Sequence, residues 1–407
     1  MTDLRIVATN TSAHGGTYTT PFWFAAHDGS FDLYNTGEAA SAALEALAED
    51  GNFAPANEAV VAADADAVTG AVLGAGTPPI LAPGETATAE FSVDGSSNGH
   101  LSLAAMVIPS NDAFVGTADS LQLFDENGHF MGAQNITFAG SDVLDAGTEV
   151  NSEIAEEVPL LGQMVANTGT TEGGVVGAHE GFLPEGEGNI LGGTNALGEH
   201  IDAVAADFTR EGAQIAEIHI NEYAVTEGSN GFDFIRGSSV DDLVNGAGGR
   251  DVLIGRGGWD ELDGGEGNDI LIGNRGNDML TGGEGRDILK GGSGSDTLDG
   301  GAGRDILKGN KGSDVLDGGA GRDRMNGGHD ADLFVFQTGY DRDRIIGFDA
   351  DEDTIALHIE GVESFDDLSG LATDHGNRTI LDFGEGDALV IKGVTFDELS
   401  AANFDFL

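Results

Sequence analysis

Twelve aspartates recur at intervals of nine residues between Gly228 and Val335, and their type and spacing suit metal chemistry. They are Asp233, Asp242, Asp251, Asp260, Asp269, Asp278, Asp287, Asp296, Asp305, Asp314, Asp323 and Asp332. Each stands sixth in a unit that opens on glycine and carries a large apolar residue in eighth place, from Ile235 to Phe334. A fixed period marks a repeat architecture, and G-G-x-G-x-D-x-U-x is the pattern of a calcium-binding parallel β-helix.

The spacing also predicts which aspartates lie next to one another in the fold. Calcium takes six to eight oxygens from carboxylates and backbone carbonyls, which one short turn cannot supply. Two units make one coil, so aspartates eighteen residues apart, such as Asp269 and Asp287, should stack. Ions then lie between adjacent turns, at most about ten in two rows of six turns. A glycine-rich flexible linker would need neither the invariant aspartate nor the apolar residue in register.

These units resemble the RTX repeats of proteins exported by bacterial type I secretion. The resemblance implies a β-roll that folds on calcium outside the cell. The weakest units lie at the ends, where Val240 and Asp330 replace the fourth-position glycine. Terminal repeats are usually atypical, and we expect poorer metal occupancy there.

Charge is extreme and uneven. The net charge is −54, and residues 1–227 hold 34 acidic side chains against two basic ones, Arg5 and Arg210. Such a surface repels nucleic acid and anionic lipid, so neither is expected as a direct partner. Crowded carboxylates should also keep the repeats unfolded without metal.

Composition and the termini bear on compartment. The chain has no cysteine, so metal would replace disulfides as the cross-link of an exported protein. Residues 1–16 carry no apolar signal core, and no apolar run is long enough to span a membrane. These features fit a secreted, extracellular or cell-surface protein. The RTX resemblance implies export by a type I apparatus through an uncleaved C-terminal signal. Intracellular residence is the alternative.

The fold class expected is all-β. Residues 1–225 predict strands at Leu4–Asn10, Thr86–Val93, Leu101–Ile108, Ser120–Phe124 and Ala213–Asn221, and one helix at Ala39–Glu49 closed by Gly51. Residues 228–335 form the β-roll. Residues 336–407 predict four more strands, Arg344–Phe348, Thr354–His358, Thr379–Phe383 and Ala388–Lys392, and a short helix, Thr395–Ala401.

A second resemblance covers about half of the chain. It rests on Thr20-Pro21-Phe22-Trp23 with His27, Gly37–Gly51, Pro83-Gly84, Ile108–Gly116 and Asp145–Glu149, in that order. Together these look like the N-terminal domain of the spondins F-spondin and mindin. The resemblance implies an antiparallel, C2-like β-sandwich with a loop-bound calcium.

Carried over residue by residue, the spondin resemblance implies Asp112, Asp145 and Glu149 as calcium ligands. These acids follow strand-like segments, at the end of a sandwich where loops cluster. The family usually has Asp at the place of Glu149 and Trp at the place of Phe114, and the disulfides of animal members are absent. A solvated loop acid is the alternative for each.

The C-terminal segment resembles the cap and export signal of serralysin-type proteins. The resemblance rests on Asp343, Phe348, Asp353 and the ending Asp405-Phe406-Leu407. Capping an open solenoid end is in any case a structural need.

Three catalytic or metal patterns are weighed and rejected. Gly95–Gly99 fits G-x-S-x-G, but strands on both sides of Ser97 predict a hairpin loop and not a nucleophile elbow. H-E-x-x-H is absent. Asp349, Asp351 and Asp353 have EF-hand spacing, but Thr354 stands where that loop needs glycine. His27 is expected to be structural.

Two functions from different classes remain. The first is a non-enzymatic, calcium-dependent adhesion or matrix protein that binds a cell-surface glycan or protein, or its own copies in a coat or filament. The second is a secreted, esterase-like hydrolase with its active site in residues 1–225. The expected cofactor of the chain is calcium, bound as several ions.

Overall fold

A computed structural model describes residues 1–12, 16–75, 79–108, 113–146, 176–178, 208, 210 and 213–406. The chain divides into two compact units, Met1–Glu222 and Tyr223–Leu407. The all-β prediction is confirmed, with antiparallel sheets near the N-terminus and a parallel β-solenoid of about 8 turns at residues 223–358.

The described part of the first unit contains short and long strands and two α-helices. The strands are Thr2–Asn10 (β1), Tyr18–Thr19 (β2), Phe22–His27 (β3), Val68–Val72 (β4), Thr86–Val93 (β5), His100–Ile108 (β6), Ala113–Gly116 (β7), Leu121–Gln122 (β8), Gln134–Ala139 (β9), Leu144–Asp145 (β10), Gly177–Ala178 (β11) and Gln214–Glu227 (β12), of which the last crosses into the second unit. The helices are Ala42–Asp50 (α1) and Ala54–Ala63 (α2), and Gly140–Asp142 is a 3₁₀ turn.

The strands of the first unit form two antiparallel sheets. One runs in the order β5-β1-β12-β9, and the other in the order β11-β10-β7-β6-β3-β4, with β2 and β8 also on β6. Alternate side chains of both sheets share one core, which includes Ile6, Phe24, Leu103 and Ile218. This arrangement is the expected sandwich.

Two helices cover the outer face of the second sheet. Strand β3 is buried along its whole length, because Trp23 points away from the sandwich core and packs with Leu44 and Leu47 of α1. Helix α1 ends as predicted, on Gly51 in the left-handed conformation (φ 61°). Helix α2 was not predicted.

The second unit is built from very short strands. They are Phe234–Arg236 (β13), Asp241–Asn245 (β14), Gly248–Gly249 (β15), Val252–Ile254 (β16), Glu261–Asp263 (β17), Glu266–Gly267 (β18), Ile270–Arg275 (β19), Met279–Thr281 (β20), Glu284–Gly285 (β21), Ile288–Ser293 (β22), Thr297–Asp299 (β23), Ala302–Gly303 (β24), Ile306–Lys311 (β25), Val315–Asp317 (β26), Ala320–Gly321 (β27), Arg324–His329 (β28), Leu333–Gln337 (β29), Arg342–Ile346 (β30), Thr354–His358 (β31), Ala372–Asp374 (β32), Arg378–Gly384 (β33), Asp387–Lys392 (β34) and Phe404–Phe406 (β35). The helix Phe365–Leu368 (α3) and two 3₁₀ turns, Phe396–Glu398 and Ala401–Asn403, complete the unit.

Strands eighteen residues apart pair in parallel, so two units make one coil. Leu271 lies opposite Leu289, and Leu280 opposite Leu298. Two long ladders run along the solenoid, one from β12 through β14 to β31 and β35, and one from β13 to β34. The eighth-position side chains of both ladders fill the thin core between them, and Leu253 to Leu316 are fully buried.

The ladders continue beyond the nonapeptides. Met325 pairs with Ile345 and Phe334 with Ile355, so the step lengthens from 18 residues to 20 and 21. The predicted helix Thr395–Ala401 is wrong. Thr395 caps one 3₁₀ turn through Glu398, and Ser400 bonds to Asn403 at the next, so local side-chain bonds stop each turn before it can extend.

Candidate metal centre

The repeat aspartates form two hydrogen-bonded ladders. In each ladder the backbone N–H of one aspartate donates to Oδ1 of the aspartate one coil further on. The N···O distance is 2.7 Å from Asp269 to Asp287, 2.9 Å from Asp278 to Asp296 and 3.0 Å from Asp314 to Asp332. One oxygen of every carboxylate in the ladder therefore has a fixed protein partner.

The other oxygen, Oδ2, is buried with no hydrogen-bond partner among the described residues. This holds for Asp251, Asp260, Asp269, Asp278, Asp287, Asp296, Asp305, Asp314, Asp323 and Asp332. Buried polar atoms in native proteins almost always have partners, so a repeated orphan needs an explanation. Burial in the metal-free fold raises the pKa of Asp278 to about 7 and the pKa values of Asp260 and Asp296 to about 8.

Glycine backbone surrounds these orphaned oxygens. A Cβ at Gly255 would lie 2.0 Å from Oδ2 of Asp260, and a Cβ at Gly291 would lie 2.1 Å from Oδ2 of Asp296. The first-position glycine is therefore required because any side chain would occupy the space beside the carboxylate.

The donor set fits calcium. No group of three His, Asp or Glu side chains able to hold an ion occurs in the part of the chain that the structure describes. An ion at the ladder would combine carboxylate oxygens with backbone carbonyls, as calcium does. An anionic Oδ2 in a glycine-lined space supplies the charge, and the glycine loops supply carbonyl groups nearby. Bound calcium would hold these carboxylates ionised.

The first unit of each row differs from the rest. Oδ2 of Asp233 accepts from the N–H and hydroxyl of Ser229, both at 2.8 Å. Oδ2 of Asp242 accepts from the N–H of Ser238 at 2.6 Å. These oxygens already have partners, which adds a reason for weak metal binding at this end. In the last unit Asp332 keeps an orphaned Oδ2 despite Asp330.

Two aspartates that the repeat pattern did not single out extend the rows. Oδ1 of Asp343 accepts from the N–H of Asp323 at 2.9 Å, and Oδ1 of Asp353 from the N–H of Asp332 at 3.0 Å. Asp343 is fully buried and its Oδ2 lacks a described partner, whereas Oδ2 of Asp353 accepts from the N–H of Asp349. Because their steps are 20 and 21 residues, they fall outside the nine-residue period of the sequence.

The candidate calcium ligands of the first unit are only partly described. Asp112 and Glu149 lie outside the described residues. Asp145 is half-buried in β10 and pairs with Ala113 of β7, the residue that follows Asp112 in the sequence. The loop site therefore stays a prediction.

The rejected patterns have structural roles. The loop holding Ser97 connects β5 to β6, which belong to different sheets, so it is not the hairpin expected. It is also not followed by a helix, and the Ser97 hydroxyl donates to the Asp94 carbonyl. His27 is fully buried, with Nε2 3.0 Å from the Ser102 hydroxyl and Nδ1 accepting from the N–H of Gly29.

Known families match both parts of the chain. The Spondin_N family matches residues 16–161. The RTX calcium-binding nonapeptide repeat, taken as four copies, matches residues 227–262, 236–271, 272–307, 299–334 and 308–343. The chain carries a spondin N-terminal domain and RTX calcium-binding repeats. The spondin and RTX resemblances drawn from the sequence are thereby confirmed, and the second unit contains a calcium-binding solenoid. The export signal in the C-terminal segment stays a prediction.

Other comparisons add little. Curated protein sequences give no match. Among solved structures, the extracellular lipase LipA from Serratia marcescens is similar at 21% identity over 44% of this chain. The alignment covers 40% of the lipase with a TM-score of 0.27, which carries no argument about fold or activity. No helix within the described residues is long and apolar enough to cross a membrane.

Proposed function

We propose that this chain is a secreted, non-enzymatic adhesion or matrix protein whose solenoid folds when calcium loads it outside the cell. The observation that carries this proposal is the pair of ladders in which ten buried aspartates each have one oxygen without a described partner. Such carboxylates oppose folding when they are ionised and metal-free, and they favour folding when calcium binds them.

The same dependence of folding on calcium would permit export. Cytosolic calcium is too low to load extracellular-type sites, so the chain would stay unfolded and could be threaded through a type I apparatus. RTX repeats are typical of proteins that leave the cell by this route. The export signal would lie in residues 336–407 and remain uncleaved. A fusion of residues 336–407 to an unrelated, slow-folding passenger should then appear in the medium, and passenger retained while the full chain is exported would refute the signal.

Adhesion is assigned to the spondin domain. That domain combines a packed sandwich with a face covered by two helices. The spondin resemblance implies a second calcium site there, of which Asp145 is the one described ligand. It would bind a cell-surface glycan or protein, or further copies of the chain. The surroundings of Ser97 offer no support for the hydrolase alternative, since no described histidine hydrogen-bonds to it.

Attachment under controlled metal tests the proposal. Purified full-length protein should attach to cells or assemble into particles visible by electron microscopy in millimolar calcium, and chelator should release it. Magnesium at equal concentration is the control, because it demands a smaller octahedral site. Equal attachment in calcium and chelator would contradict a calcium-dependent adhesive role. Esterase activity abolished by Ser97→Ala would overturn the non-enzymatic assignment.

A further inference from the structure

Six arginines line one groove of about 490 Å³ in the second unit. We call it the arginine groove, and its arginines are Arg286, Arg304, Arg322, Arg324, Arg342 and Arg344. All six are exposed. The whole chain has only 17 lysines and arginines against 71 acidic residues, so this concentration of positive charge is local and unusual.

The coil brings these arginines together. Arg286, Arg304 and Arg322 occupy the fifth place of alternate units, and the backbone N–H of Arg304 and of Arg322 bonds to the coil before, at 3.2 and 3.3 Å. Gly321 bridges to Asp341, which sets Arg342 beside Arg322 in the next coil. Parallel strands lie about 4.8 Å apart, so this column presents one guanidinium group at roughly each such step.

A second column lies alongside the first. Arg324 of β28 is paired directly with Arg344 of β30. Like charges opposite one another on adjacent strands are destabilising. In the described part of the chain, none of the six arginines has a carboxylate oxygen within the 4.0 Å of an ion pair. The guanidinium groups of the groove are therefore not held in ion pairs by described residues, although Arg304 lies within electrostatic range of the buried Asp323.

Bound calcium would make the arginine groove more positive. The acidic residues of the groove, Asp305, Asp323 and Asp343, are buried in the aspartate ladder beneath the arginines. Calcium on that ladder would cancel their negative charge and leave the guanidinium groups as the main charges facing solvent. Anion binding at the groove should therefore depend on calcium without calcium itself contacting the ligand.

The geometry points to the anionic groups of an acidic polysaccharide, sulfate or carboxylate, as the ligand of the arginine groove. Arginine binds such oxyanions with two parallel hydrogen bonds, and a linear chain with repeated charges can engage several coils at once. Among the described residues, the groove is otherwise lined by its three aspartates, Ile306 and Val390, and none of these supplies an aromatic ring for the base stacking that single-stranded nucleic acid uses.

Asparagine variants test the groove without disturbing the turn. Asn268 fills the same fifth place in another unit, so Arg304→Asn and Arg322→Asn copy a residue that the coil already accepts. Arg250→Asn is the matched control, because Arg250 is exposed in the same column but outside the groove. Binding is measured by calorimetry on the full chain in millimolar calcium, with a heparin octasaccharide, a hyaluronan octasaccharide and a deoxythymidine octanucleotide as probes.

Wild type and Arg250→Asn should bind heparin equally, and each groove variant should lose roughly tenfold in affinity. The slope of log Kd against log salt should fall by about one for each arginine removed. Heparin binding without hyaluronan binding would assign sulfate, and binding of both would assign carboxylate as sufficient. No heparin binding by wild type, equal loss in all three variants, or tighter octanucleotide binding would overturn the inference.

This inference rests on the calcium-dependent folding proposed above, and the two can fail separately. Circular dichroism in calcium reports folding of each variant. A folded protein that ignores heparin refutes the groove alone, whereas a chain that does not respond to calcium refutes the proposed function.

Discussion

Replacing Asp287 by asparagine separates the metal role of the ladder from its hydrogen bonds. The amide can keep Oδ1 as the acceptor of the Asp269 N–H, at 2.7 Å in the native chain, while it removes the charge and the orphaned Oδ2. The matched control is Asp242→Asn, since Oδ2 of Asp242 already accepts from Ser238.

The size of the effect follows from mass action. A calcium ion held with a Kd of about 0.1 mM, as in weak extracellular modules, stabilises the fold by about 2.7 kcal/mol at 100 times that concentration. Asp287 has a neighbouring coil on both sides, so Asp287→Asn should cost about 3 kcal/mol if one ion is lost and about 5 kcal/mol if two are lost. In chelator the sign should reverse, because burial raises the pKa of Asp287 to about 6 and the neutral amide removes that penalty.

Urea unfolding in about 10 mM calcium measures the free energy of unfolding of each variant, and calorimetry in parallel counts its bound calcium ions. Asp287→Asn should bind one or two ions fewer than wild type, and Asp242→Asn should keep the wild-type count. Equal losses in the two variants, or an unchanged ion count for Asp287→Asn, would show that the orphaned oxygens do not hold the metal.

Three further outcomes are expected. Gly291→Ala should raise the calcium concentration at the midpoint of folding, because its Cβ would lie 2.1 Å from Oδ2 of Asp296. The control Gly370→Ala should not, because a Cβ there would have nothing within 4 Å. Equal midpoints for the two variants in a calcium titration would argue against the glycine-lined site. Leu289→Ala should lower the free energy of unfolding of the calcium-loaded chain by about 2–5 kcal/mol in urea, because Leu289 is fully buried. Met279→Ala should lower it by less than about 1 kcal/mol, because Met279 is partly exposed. Similar values for the two variants would argue against the thin core. Metal-free protein should gain β-structure as the pH is lowered from about 8 towards 4. Burial raises the pKa of Asp296 from 3.8 to about 8, so in that pH window the folded form binds protons that the unfolded form does not, and acid stabilises the fold. Loss of the β-structure signal in circular dichroism as the pH is lowered would contradict this sign.

The periodic part of the fold was predictable because every unit repeats the same local demands. A nine-residue period with one apolar residue fixed the coil of eighteen residues, and Leu271 does lie opposite Leu289. Gly51 marked the end of α1 because only a left-handed residue closes that turn. Where the step between coils changes, as at Asp343 and Asp353, the nine-residue period no longer predicts which residues take the equivalent places.

Other features depend on contacts that local sequence does not encode. Ser97 lies between two strand-like runs, but nothing local states that they join different sheets. The 3₁₀ turns after Thr395 depend on side chains capturing backbone groups within one turn. The arginine groove arises only when coils stack, since Arg286 and Arg344 are far apart along the chain.

The central claim is that calcium holds the buried aspartates ionised and thereby folds the solenoid. Hydrogen exchange of the full chain, read by mass spectrometry on peptides from residues 228–335, tests it most directly. We predict rapid exchange in chelator and strong protection once calcium reaches roughly 0.1–1 mM. Equal protection of these peptides in calcium and in chelator at neutral pH would contradict it.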